Sequence, residues 1–288
     1  MASGFGPTGP SSSLDEIEHP GGSKDFPGPF QAVGLTVALG FLMVGIGSGL
    51  SLVDRSEAVP GVLGANALAA AIVLGWGRYR TGQSARALFR LRAFSPGLLL
   101  PMSVFLLGAS IVMSDLDNAV RWTWPVPPEF EELFRQLLAG GFLSFLLLVI
   151  EAPLVEELVF RGLILRGLIA RQGVRQAIVL QAILFAALHL NPWQFVPAFF
   201  IGLFLGWLFV KTGSLGACIL FHAAWNGLSL FLGAYAEGLG VVIPGYTTYP
   251  LGPPTFQSPQ FLALGVALCA VGWFWLRSAC ESRARGLG

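Results

Sequence analysis

Two of the three histidines in this chain, His189 and His222, stand inside apolar runs, and so do the adjacent carboxylates Glu156 and Glu157 and the amide Asn226. The third, His19, is in a polar N-terminal stretch. An ionisable side chain in hydrocarbon costs several kcal/mol and is by default a functional candidate with a partner to be named. Spacing names the partners. Glu157 and Arg161 are four residues apart in IEAPLVEELVFRGLILRG, so on a helix they share a face and can pair. Glu156 points about 100° away from Glu157 at 3.6 residues per turn, which leaves it free of Arg161 and able to face a bundle interior. His222 and Asn226 in FHAAWN are also four apart and can address one cavity. His189 closes the run FAALHL, and Pro153 loosens backbone hydrogen bonding one turn before the glutamates.

The chemistry open to this set is hydrolysis. Burial raises the pKa of a carboxyl towards the range a general base needs. An imidazole N–H and an amide N–H on one face can meet an oxyanion. Each piece alone also has an ordinary reading. The Glu157–Arg161 pair can be a structural ion pair, His189 can merely end its helix, and His222 with Asn226 can be interhelical glue. No cofactor is expected. The alternative is zinc held by Glu156, His189 and His222, since two histidines, a glutamate and water form a known catalytic set, although no HExxH pair occurs on one helix. A second alternative is Cys218 as nucleophile, one turn before His222. Glu151 either lines the same cavity or faces headgroups.

The elements that carry these residues are membrane helices. The chain is 54% hydrophobic and 11% charged, with a mean hydropathy of +0.70, against about a quarter charged in soluble domains. A net charge of +1 and the lack of a basic tract argue against a nucleic-acid partner. Runs near the roughly 20 apolar residues that cross a bilayer predict eight spans, at 30–53, 59–77, 96–113, 133–169, 176–190, 195–210, 215–232 and 259–276. The fifth and sixth are joined only by Asn191-Pro192-Trp193-Gln194, which predicts a tight turn. Residues 1–28 read as a disordered cytoplasmic tail, 29–278 as one membrane domain and 279–288 as a short cytoplasmic tail. Arginines gather after the second, fourth and eighth spans and Lys211 after the sixth, with acids on the opposite side. The excess of positive charge on one side predicts both termini in the cytoplasm. Small residues recur through the first, second and seventh spans and allow close packing.

The three pieces Glu156-Glu157-x-x-x-Arg161, Phe185-x-x-x-His189 and His222-x-x-x-Asn226, in this order on three apolar helices, resemble the CPBP family of intramembrane proteases. That family includes the CAAX prenyl proteases and many bacterial Abi-type proteins. The resemblance covers residues 151–230 and implies an all-α, eight-helix fold. It implies that Glu156 activates water with help from His189, that His222 and Asn226 stabilise the oxyanion, and that Glu157 and Arg161 support the site. It further implies a membrane-anchored protein or peptide substrate, with the site opening towards the cytoplasm and the membrane. Abundant Gly, Ala and Arg with almost no Lys suits a bacterial inner-membrane protein and a sorting peptidase of the myxosortase kind better than a prenylated substrate. A non-catalytic immunity or scaffold protein of the same fold, or a proton-relay transporter, are the other readings.

Overall fold

The computed structural model describes residues 25–53, 58–89, 92–139, 141–234, 243, 245–246 and 254–284. Most of the predicted N-terminal tail and the last four residues lie outside them. The described residues are helical, without strands. We label the helices α1 (Pro29–Val53), α2 (Ala58–Thr81), α3 (Leu99–Thr123), α4 (Pro128–Ala139), α5 (Gly141–Gln172), α6 (Val174–Ala187), α7 (Pro192–Thr212), α8 (Leu215–Ala234) and α9 (Pro259–Ala284).

Six of these, α1, α2, α3, α7, α8 and α9, are long and apolar enough to cross a membrane. A seventh span arises if α4 and α5, bent by 101° to each other, count as one. The eight expected spans included α6, which has only 14 residues. At 1.5 Å per residue it falls short of a hydrocarbon core of about 30 Å. Residues of α6 pack inside the protein instead, with Ala177, Gln181, Ala182 and Ala186 fully enclosed. The chain is thus an integral membrane protein whose central helices are shorter or broken. The turn between α6 and α7 forms as its sequence predicts. Asn191 caps α7 by accepting from the Gln194 N–H at 2.8 Å, and Pro192 occupies the first helical position, where no N–H is needed.

Side-chain contacts define two ends of the bundle. At one, Arg166 donates to the Leu88 carbonyl, Arg171 to that of Asp25, and the Ser214 hydroxyl to that of Arg92. At the other, the Trp193 indole donates to the Trp124 carbonyl, Phe130 meets the Trp193 ring, and Asn118 donates to the Gly245 carbonyl. Most basic residues collect at the first end, Arg121 and Arg135 excepted, and most acids at the second.

A close helix contact is that of α3 against α9. A Cβ on Gly108 would meet the backbone of Cys269, and one on Gly272 would meet the backbone of Phe105. In lipid such close approach replaces the hydrophobic drive that water supplies to soluble proteins. Gly108→Ala is expected to lower stability by about 1–3 kcal/mol, as overpacking does, read as a lower unfolding temperature in detergent micelles.

Candidate active site

The site is built on a helix that is not regular. Within α5, Leu146–Glu151 and Leu158–Leu165 are π-helical and Ala152–Glu157 between them is α-helical. The Ala152 N–H bonds the Leu147 carbonyl, five residues back. In that register the Leu148 carbonyl would need an N–H from residue 153, which is proline and has none. Asn226 fills the gap. Its amide Nδ2 donates to the Leu148 carbonyl at 2.8 Å, tying α8 to α5. A π-bulge beside functional side chains is a recurrent arrangement. Asn226→Ala would leave that carbonyl without a partner, so we expect a loss of about 1–3 kcal/mol. Adding Pro153→Ala, which returns an N–H, should recover part of it in the same thermal unfolding measurement.

Below this wide turn lies a buried charge relay. Glu157 and Arg161 are fully enclosed and paired, with Arg161 Nη1 2.8 Å from Glu157 Oε1. His222 Nδ1 stands 2.8 Å from the same oxygen. An ionised carboxylate only accepts, so with Glu157 charged this imidazole nitrogen carries the proton. Arg161 also donates to the Gly202 carbonyl at 3.3 Å and lies over the Phe185 ring at 4.7 Å. Gln181 donates to the same carbonyl at 2.9 Å. The cation therefore has a carboxylate, a carbonyl and an aromatic face around it, which is what a charge away from water needs.

The other nitrogen of His222 addresses Glu156. His222 Nε2 and Glu156 Oε2 are 3.8 Å apart. That is too long for a direct hydrogen bond, but a single oxygen can sit at roughly 2.8 Å from both. Glu156 keeps 13% of its side chain exposed, whereas Glu157 has none. The two neighbours thus divide as their spacing predicts, one into the relay and one towards an open space.

His189 follows the end of α6 and shares a neighbour with His222. Its ring packs edge-on against Phe185 at 5.4 Å between centroids, and His222 packs likewise at 5.8 Å, so Phe185 seats both imidazoles. His189 Nδ1 lies 3.1 Å from the Phe185 carbonyl. A carbonyl only accepts, so this nitrogen bears the hydrogen, and in the neutral ring Nε2 then presents a lone pair.

Two polar residues of the site were missed in the sequence. Asn66 on α2 donates to Glu151 at 3.4 Å, and Gln181 supports Arg161 through Gly202. Each is a lone amide in an apolar run, and that rarity was the available signal. Cys218 is fully buried and its thiol donates to the Leu205 carbonyl at 3.5 Å, away from any open space. Among the described residues no group of three His, Cys, Asp or Glu side chains is arranged to hold a metal ion.

Residues 137–228 match the family model described as type II CAAX prenyl endopeptidase Rce1-like, a stretch that holds every residue of the three motifs and is consistent with a CPBP/CAAX protease. No curated protein and no solved structure matches.

Proposed function

From the premise that residues 137–228 are of the Rce1-like CAAX endopeptidase kind, we propose that this chain is an intramembrane endopeptidase with a glutamate base and no metal. The observation that carries the reading is the facing of Glu156 Oε2 and His222 Nε2 at 3.8 Å, on top of a buried Arg161–Glu157–His222 relay.

A water held at Glu156 and at the Nε2 lone pair of His189 gives its proton to the Glu156 carboxylate. Its oxygen bonds to the scissile carbonyl carbon, and the carbonyl π pair becomes the oxyanion. His222 meets that oxyanion through an Nε2–H. That donor requires the doubly protonated ring, with Nδ1–H directed at Glu157 at 2.8 Å, and its positive charge meets the negative charge forming on the oxyanion. The amide of Asn226 carries two N–H groups, of which Leu148 takes one, and the second is a further donor. Glu156 then returns its proton to the amine nitrogen as the C–N bond breaks. Donors set in place before the reaction need no reorganisation in the transition state, which is the main source of their effect.

The substrate is a membrane-anchored protein or peptide, and the chain sits in a bacterial inner membrane with both termini in the cytoplasm. Mass spectrometry of membrane fractions tests this. New C-termini present with the wild-type chain should be missing with Glu156→Gln. If the two membranes give the same termini, the protease reading fails.

A further inference from the structure

The site is closed on one side. From Glu157 towards the basic end, Arg161, Leu165, Leu208, Leu215 and Cys218 are all fully buried. Gly162 already lies 3.5 Å, measured from a built Cβ, from Phe89 next to the basic loop. No polar side chain of the site is open in that direction. Towards the other end, the surroundings change. Glu151, Glu156, His189 and Asn226 are each partly exposed, and Leu190, next to His189, is 73% exposed. A carboxylate turned towards acyl chains costs several kcal/mol, so the partial exposure of Glu151 and Glu156 is taken as access for water from that end.

The end they open to is the arginine-poor one. Arg78, Arg80, Arg86, Arg166, Arg171 and Lys211 belong to the sealed end, where Arg80 lies over Phe26 and Arg171 clasps Asp25. Asp115, Asp117, Glu129, Glu131 and Glu132 belong to the open one. Excess positive charge stays in the cytoplasm.

We infer that the site is reached from the outer face of the membrane, so that the substrate is a membrane-anchored polypeptide whose scissile bond lies at the outer leaflet. A C-terminal tail in the cytoplasm is then not reached. This is opposite to the cytoplasmic opening that the family resemblance implies, and it rests on the protease reading for the word substrate, while the side of the opening stands on burial and charge alone.

A labelling experiment separates the two. In the full chain with Cys218, Cys269 and Cys280 replaced by alanine, single cysteines are introduced as Glu151→Cys, Leu190→Cys and Arg86→Cys. A membrane-impermeant sulfonated maleimide is applied to spheroplasts, which present the outer face, and to inverted vesicles. Glu151→Cys and Leu190→Cys should label in spheroplasts and lose labelling in inverted vesicles, with Arg86→Cys behaving in reverse. Labelling of Glu151→Cys or Leu190→Cys from the same face as Arg86→Cys, of Arg86→Cys from outside, or of neither site position from either face overturns the inference. Loss or survival of cleavage in Glu156→Gln changes none of these outcomes, so a failed protease reading is told apart from a failed orientation.

Discussion

Glu156→Gln is expected to remove cleavage while leaving the folded protein and its abundance unchanged. The substitution keeps the shape of the side chain and removes only its capacity to take a proton. General-base catalysis contributes on the order of 10²- to 10⁴-fold, and a loss of that size should appear in the cleavage rate of purified enzyme in detergent or liposomes. Stability should not fall with it. Glu156 is partly exposed and takes no part in the Arg161–Glu157 pair, so an amide there leaves no charge stranded. His189→Gln is the companion measurement. If His189 serves only as a helix end, the rate should hold, and if its Nε2 holds the water, the rate should fall without loss of fold. A Glu156→Gln enzyme that cleaves at the wild-type rate would leave the site with no base.

Much of this site was legible because lipid makes polar residues rare. In water a Glu-Glu pair or a His near a helix end means little. In an apolar run each must have a reason, and the spacing of Glu157 with Arg161 and of His222 with Asn226 already indicated which groups share a face. The division of labour between Glu156 and Glu157 also followed from helix geometry. What spacing could not supply was any contact between helices. That His222 completes the Glu157 pair, through a nitrogen 2.8 Å away, depends on where α8 packs against α5. The π-helical stretches of α5 were hidden as well. Pro153 signalled loosened bonding, but the choice of an i→i−5 register and its repair by Asn226 is a tertiary result. The count of eight spans is not confirmed, because α6 is apolar but short, with one face, including Ala177, Ala182 and Ala186, enclosed by other helices.

The relay beneath Glu156 separates what stabilises the protein from what it does. Arg161→Met would strand the Glu157 carboxylate where no water reaches, and breaking one partner of a buried pair typically costs about 3–5 kcal/mol. Against a total stability of about 5–15 kcal/mol for a typical domain, the unfolding temperature in micelles should drop steeply and cleavage should vanish with the fold. Glu157→Leu combined with Arg161→Met removes both charges and fills the space with apolar groups, so stability should return to near the wild-type level, since replacing a buried pair outright is often neutral. Cleavage should not return with it. The imidazole of His222 would have lost the acceptor that directs its Nδ1–H, so the ring orientation that points Nε2 at Glu156 would not remain. If the double variant both folds and cleaves at the wild-type rate, the pair is a packing device and His222 is held by other contacts. If Arg161→Met alone leaves stability unchanged, then Glu157 is not ionised in the folded protein, and the assignment of the Nδ1 proton to His222 would fall with it.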